Sequence, residues 1–304
     1  MNIFVTGGVG FIGSFLTKSL LENGHSVTIY DSLVNSSEDN AKKLEKLGAN
    51  FICGDITDLK KLSESVCDHD ICIHLAGQTD VLYSIENPEY NNLVNITGTK
   101  NLLDSCVKNN IDVIAASSAA VYEDSNKILS ESSPSKPASP YGQSKLIMEQ
   151  LLTDASVSSK INCLSLRMFN VYGKCQNIEY AGVITKFLEN IKNETDLIIF
   201  GDGTSSRDFV YVNDVVDSMI LAIHKIKGKK GEIYNIASGT NTKILELAEM
   251  MISITGKNSI SINYSPSKSG EIVHSQADIS LARNSLGYSP KVSLKEGLEN
   301  LMNS

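Results

Sequence analysis

No pair of cysteines in this chain has CxxC spacing, and no Cys/His cluster has the spacing of a zinc site, so we expect no bound metal. Cys53, Cys67, Cys72, Cys106, Cys163 and Cys175 are scattered, several inside apolar runs where a free thiol acts as a small hydrophobe. Such usage fits a reducing compartment better than a disulfide framework. No apolar run approaches the roughly 18 residues of a membrane span, which excludes a membrane partner of that kind. A strand-like run begins at Asn2 and leaves no room for a signal peptide, so a cytoplasmic protein is expected. Positive charge is also scarce. The net charge is -8 with no basic face, which argues against nucleic acid as a partner. The one cationic cluster, Lys225-Ile226-Lys227-Gly228-Lys229-Lys230, reads as a solvated loop. There are three arginines, Arg167, Arg207 and Arg283, so an anionic ligand must be held by few local cations.

What is present is an alternation of strand-length apolar runs and helical patterns. Asn2–Thr6, Ser26–Tyr30, Asn50–Cys53, Asp70–Leu75, Asp112–Ser117 and Ile161–Arg167 read as strands. Phe11–Asn23, Thr99–Lys108 and Tyr141–Ala155 are among the helices between them. Short β-rich runs without alternation suit strands covered on both faces. Their βαβα order predicts an α/β fold, a Rossmann-type doubly wound parallel sheet. After about residue 168 the order loosens. Leu197–Phe200 and Ile233–Ile236 read as strands; Asn213–Lys225, Thr242–Thr255 and Asp278–Leu286 read as helices. We expect residues 1–168 to bind a dinucleotide. Residues 169–304 are expected to form mainly a smaller substrate lobe, with a few elements returning to the main sheet.

The first strand runs into Gly7-Gly8-Val9-Gly10-Phe11-Ile12-Gly13, which fits GxGxxG through Gly8 or GxxGxxG through Gly7. Glycine lets a strand-to-helix turn approach a diphosphate, and the helix N-terminus supplies unpaired N–H groups. Asp31 ends the second strand, where a carboxylate accepts bonds from ribose hydroxyls and repels a 2′-phosphate; this favours NAD over NADP. Asp55-Ile56 follows the third strand. There Asp55 either reaches the adenine amino group or caps the helix from Thr57 onward.

Tyr141-Gly142-Gln143-Ser144-Lys145 has YxxxK spacing, which puts a phenol and an ammonium on one helix face. The ammonium is expected to draw the phenol pKa down and make Tyr141 a general base. A second copy, Tyr264-Ser265-Pro266-Ser267-Lys268, contains a proline that disfavours a helix. Tyr141 instead follows Pro140, a good helix start, and lies 23 residues after Ser118 at a strand end. A hydroxyl at Ser118 could bond the reacting oxygen. His74 reads as structural.

These features, with His74-Leu75-Ala76-Gly77, Asn95, Gly98-Thr99, Val121-Tyr122, Arg167–Gly173, Arg207–Val212 and Tyr234–Ala237, resemble the extended short-chain dehydrogenase/reductases of the UDP-glucose 4-epimerase group. The resemblance implies NAD held by Gly7, Gly10, Phe11, Ile12, Gly13, Asp31, Asp55, Ile56, Leu75, Ala76, Tyr141 and Lys145. It implies catalysis by Ser118, Tyr141 and Lys145: Tyr141 deprotonates the sugar 4-hydroxyl, Ser118 binds that oxygen, and hydride leaves C4 and returns to the other face. It places Ser118, Asn170, Arg207, Lys268 and Ser275 around a UDP-sugar, with Ser275 as a small gate beside the hexose 2-position. It implies a homodimer built from Thr99–Lys108, its upstream turn and Tyr141–Ala155.

The chain departs from the family pattern in several places. Lys268 and Glu271 replace an arginine and an aspartate, and lysine cannot give a bidentate contact. Glu123 stands where glycine is usual. Ala119-Ala120 replaces the acidic residues of dehydratase and decarboxylase relatives and cannot transfer protons. What remains is oxidation and re-reduction at C4 of UDP-glucose/UDP-galactose, extended by the small gate to the N-acetylated pair. The competing readings are a nucleotide-sugar reductase or dehydratase on the same scaffold, and a non-catalytic NAD-sensing protein.

Overall fold

The computed structural model of the chain describes residues 1–176, 182–267 and 273–302. Seven strands form one sheet: β1 (Asn2–Thr6), β2 (Ser26–Asp31), β3 (Asn50–Cys53), β4 (Ile71–His74), β5 (Asp112–Ser118), β6 (Cys163–Met168) and β10 (Lys230–Ile236). Their order is β10-β6-β5-β4-β1-β2-β3, and every pair is parallel. The direction of winding reverses between β1 and β4, which opens a crevice at the strands' carboxyl ends. This is the doubly wound α/β sheet that the uninterrupted apolar runs predict. β4 and β6 are buried along their whole length because helices cover both faces.

Helices α1 (Phe11–Glu22) and α2 (Glu38–Lys46) pack on one face, joined by the later α9 (Val212–Lys225) and α11 (Ser280–Leu286). Helices α3 (Leu59–Ser65), α6 (Gly98–Asn109) and α7 (Pro140–Ser158) pack on the other. Short helices α4 (Val81–Glu86) and α5 (Pro88–Asn92) precede α6, and one π-helical turn, Leu93–Thr97, connects α5 to it. α7 is the longest helix among the described residues. Ser139 caps it by accepting from Gly142 N, and Pro140 starts it where its missing N–H costs nothing.

A third apolar core lies in the C-terminal part. It gathers α8 (Val183–Lys192), α10 (Ile244–Thr255) and α12 (Leu294–Met302) around Leu197, Ile199 and Phe209. Two small sheets serve it: β11 (Asn241–Lys243) with β9 (Ser206–Tyr211) and β7 (Asn170–Tyr172), and β12 (Ile262–Ser265) with β8 (Leu197–Phe200). The expected helix Thr242–Thr255 divides into β11 and α10, and the one at Asp278–Leu286 begins at Ser280. No helix of the described residues is long and apolar enough to cross a membrane.

Candidate active site

The glycine loop sits at the crevice. Gly7 has φ +69°, and a Cβ there would lie 2.6 Å from Ala76 N on the β4 side. A Cβ at Gly13 would overlap the Gly7 carbonyl oxygen and stand 2.7 Å from Gly8 Cα, so this glycine lets α1 press on the loop. Gly10 is the N-cap of α1 and supplies no side-chain acceptor to the first turn. A Cβ at Gly10 would meet protein only at Gly7 O, 3.3 Å away. The N-terminus bearing Phe11 and Ile12 thus opens on a cradle suited to an anion.

Asp31 is buried at the end of β2 and accepts from Val9 N (3.0 Å), Leu33 N (2.9 Å) and Ser36 Oγ (3.0 Å). The carboxylate therefore also braces the glycine loop. Asp55 accepts from both Thr57 N and Thr57 Oγ1 at 2.8 Å, a local turn; the following helix is capped by Asp58 instead. Ile56 is buried beneath Gly98, and Leu75 is half-buried against the first core. Ala76 N donates to Thr6 Oγ1 (3.2 Å), which in turn bonds His74 Nδ1 (2.8 Å). Thr99 Oγ1 spends its proton on Asn95 O, so His74 Nε2 donates to it and the ring is the neutral Nε2–H tautomer. Burial pushes His74 down to about 3, consistent with a structural role.

Tyr141 and Lys145 lie on the face of α7 turned to the carboxyl end of β5. Ser118 is the last residue of β5; its Oγ accepts from Ala120 N and lies close enough to the Tyr141 hydroxyl to favour the phenolate. A Cβ at Gly142 would lie 2.9 Å from Pro137 Cβ and 3.0 Å from Ala120 C, so glycine within YGQSK brings the serine loop against α7. Lys145 is buried, donates to Ala116 O at 2.8 Å and stands 5.9 Å from the Tyr141 ring centre. The acid–base balance differs from the sequence expectation. Burial raises the Tyr141 pKa and the nearby Ser118 hydroxyl only partly offsets it. Burial lowers Lys145 to about 8, opposed by the Glu149 charge. The interior disfavours both charged forms, and this outweighs the ammonium's pull on the phenol.

Met168 pairs with Ser118 across β5 and β6, so Asn170 follows two residues past the serine's neighbour. Asn170 and Arg207 line a cleft of about 520 Å³ together with Tyr172, Phe187, Phe200 and Phe209. Asn170 Nδ2 donates to Asp208 O (3.0 Å), and Arg207 Nη1 donates to Ser206 O (2.9 Å). Ser275 is buried beside them, its N–H on Ser206 O (3.1 Å). Lys268 lies outside the described residues.

The model of the NAD dependent epimerase/dehydratase family matches residues 3–237. The chain belongs to this family. A UDP-glucose 4-epimerase of Mycolicibacterium smegmatis is 32% identical over 98% of this chain and 96% of its own. The structure of the Thermotoga maritima UDP-glucose 4-epimerase with UDP-glucose superposes with TM-score 0.93 at 34% identity, over 100% of this chain and 98% of that one. A UDP-N-acetylglucosamine 4-epimerase of Methanobrevibacter ruminantium, in complex with UDP-N-acetylmuramic acid, gives 0.93 and 34% over 99% and 97%. As a member of the epimerase/dehydratase family the chain is an enzyme, and its cofactor is NAD. The cradle at Gly10 and the carboxylate of Asp31 fit that dinucleotide.

Sequence reasoning passed over two elements of this site. Asp208, on β9, is fully buried and accepts from Ser238 N, Ser238 Oγ, Gly239 N and Ala277 N, tying the cleft strand to the Ser275 segment. Burial pushes it up to about 6 despite these donors. Its place beside Arg207 in Arg207-Asp208-Phe209 was the available signal. The second is Glu149, which takes Arg167 as a buried bidentate pair.

Proposed function

We propose that the chain interconverts the C4 epimers of a UDP-hexose, UDP-glucose and UDP-galactose, through a 4-keto sugar. The observation that carries this reading is the gathering of Ser118, Tyr141 and Lys145 at the carboxyl end of β5, with Asn170 of the neighbouring cleft only two residues past Met168, the register partner of Ser118. Tyr141 takes the proton from O4, and Ser118 holds that oxygen by a hydrogen bond. NAD, when bound, supplies the acceptor and later the donor of the C4 hydride. Lys145 holds a positive charge behind the phenol. Asn170 and Arg207 keep the nucleotide in place while the 4-keto sugar turns its other face, and Tyr141 then returns the proton. Ala119 and Ala120 offer no carboxylate for a dehydration or decarboxylation step.

In this reading residues 1–168 bind NAD and residues 169–304 bind mainly the sugar nucleotide. Gly7, Gly10, Phe11, Ile12, Gly13, Asp31, Asp55, Ile56, Leu75 and Ala76 surround the dinucleotide; Lys268 assists Arg207. Ser275 leaves room for an N-acetyl group, so UDP-GlcNAc and UDP-GalNAc are substrates too. The enzyme works in the cytoplasm as a homodimer joined through α6 and α7. Next to those helices Leu82, Ile85 and Leu93 expose apolar surface of the kind that interfaces cover.

Equilibrating purified protein with UDP-glucose and following UDP-galactose tests the reaction. Release of reduced cofactor or loss of water, without the epimer, would replace it by a reductase or dehydratase. For the gate, turnover of the non-acetylated pair alone, unchanged in Ser275→Tyr, would remove Ser275 from specificity.

A further inference from the structure

A buried polar chain that the proposed reaction does not use runs directly behind the catalytic residues. Glu149 lies on α7 one turn beyond Lys145, so Tyr141, Lys145 and Glu149 form one stripe. Its carboxylate receives Arg167 Nε at 2.8 Å and Nη2 at 2.7 Å, and also the Ser117 hydroxyl. Ser117 immediately precedes Ser118, and Arg167 is its partner in register on β6. On the far side, Arg167 stacks 4.7 Å over the Tyr122 ring, whose hydroxyl donates to Asn235 Oδ1 at 2.6 Å. Asn235 Nδ2 donates to Leu129 O and Asp278 O, three residues past Ser275.

We propose that Glu149 is a positioning residue: by gripping Ser117 and Arg167 together it sets the separation between the strand that carries Ser118 and the helix that carries Tyr141 and Lys145. The inference rests on reading those three residues as the catalytic set. Stability alone does not explain the arrangement. A well-packed apolar pair would hold α7 on the sheet as firmly, since two buried charges pay heavily in desolvation. What apolar side chains lack is directional grip on two strands at once and a negative charge one turn from Lys145. That charge opposes the fall of the Lys145 pKa on burial.

The test compares Glu149→Gln, Ser117→Ala and Tyr141→Phe in the NAD-loaded enzyme, reading kcat and KM for UDP-glucose across pH, with thermal melting as a check on folding. Glu149→Gln is expected to lower kcat about tenfold to a hundredfold, the scale of an ångström misplacement, with KM little changed. Its alkaline limb should move to lower pH, because Lys145 loses the neighbour that favours its charge. Ser117→Ala cuts only the tie to the serine strand. It should lower kcat several-fold and leave the limb in place. Wild-type kcat in a folded Ser117→Ala overturns the proposal, whether or not Glu149→Gln folds. Wild-type kcat with an unmoved limb in Glu149→Gln does so as well. If Tyr141→Phe loses turnover while the other two keep it, this inference alone fails; if Tyr141→Phe keeps turnover, the catalytic reading beneath it fails.

Discussion

Adding one methyl group to Gly13 and to Gly10 in separate variants should separate the structural from the ligand-binding duty of the nucleotide loop. A Gly13 Cβ overlaps the Gly7 carbonyl oxygen and stands 2.7 Å from Gly8 Cα, where ordinary contact begins at 3.4 Å. These are backbone atoms, so no side chain can turn aside, and α1 must retreat by at least the 0.7 Å difference. Overpacking of this kind costs about 1–3 kcal/mol, and alanine's helix preference returns about 0.5–1 kcal/mol. The net loss of about 1–2 kcal/mol lowers Tm by roughly 2–3 °C in a chain of this length. The retreating helix end also weakens its hold on the diphosphate, by about tenfold in Kd if 1–2 kcal/mol of anion binding is lost. At Gly10 the added Cβ meets protein only at 3.3 Å, so Tm should stay within a degree or so of wild type while NAD affinity falls, because the methyl fills ligand space. Calorimetric titration with NAD and differential scanning of both variants give the two numbers. Gly10→Ala binding NAD like wild type, or Gly13→Ala melting like wild type, would refute the corresponding half of the argument.

Tyr141→Phe should keep NAD binding and fold, since it removes one hydroxyl and leaves the neighbouring Ser118 its bond from Ala120 N, and should lower kcat by about 10²–10⁴; near-normal turnover removes Tyr141 from the mechanism. With Lys145 lowered to about 8, kcat should fall as pH rises through that region, because the ammonium is lost; a limb only near the ordinary lysine value of about 10.4 contradicts this. Asp208, raised to about 6, should give KM for the UDP-sugar an acid limb there, as protonation withdraws its acceptors from Ser238, Gly239 and Ala277. The sign for stability is opposite: the raised pKa contributes stability below the ordinary aspartate value, lost as pH rises through about 6, so a KM independent of pH between 5 and 7 would deny Asp208 its part in the cleft. Light scattering should show a dimer that Leu82→Glu with Ile85→Glu weakens if their surface adjoins the interface; a wild-type monomer at micromolar concentration refutes the dimer.

The parallel sheet is legible in the sequence because the middle of a strand buried on both faces must be apolar without alternation, as Ile3, Phe4 and Val5 of β1 and Ile71, Cys72 and Ile73 of β4 are, and glycines at a strand-to-helix turn have few other uses. β7 and β11 escape notice for the opposite reason: three residues carry no periodicity. Strand β9 is hidden differently. Its Arg207 and Asp208 look like a polar loop until the fold shows Asp208 buried with four donors around it. The Glu149–Arg167 pair is invisible because its members are 18 residues apart on a helix and a strand, with no local pattern to join them. Chemistry conditioned by a short spacing, such as Tyr141 and Lys145 one helical turn apart, can be read along the chain. Chemistry conditioned by burial cannot.

The same distinction explains why the phenol pKa moves against the expectation drawn from YxxxK. Spacing tells which charges are neighbours; it does not tell how much water surrounds them. Here Lys145 is 5% exposed, and its ammonium is turned toward Ala116 O while it stands 5.9 Å from the Tyr141 ring centre. A cation at that distance gains less from the phenolate than the phenolate loses by leaving water. Tyr141 in the ligand-free protein is therefore a held phenol rather than a ready base. Ionisation at neutral pH requires further positive charge or hydrogen bonding brought to the site by what binds there. Turnover should then depend on occupancy of both the nucleotide cradle and the cleft, and the free protein should show no tyrosinate absorbance up to the alkaline limb set by Lys145. A tyrosinate signal titrating near pH 7 in the cofactor-free protein, absent from Tyr141→Phe, would show that the ammonium alone suffices.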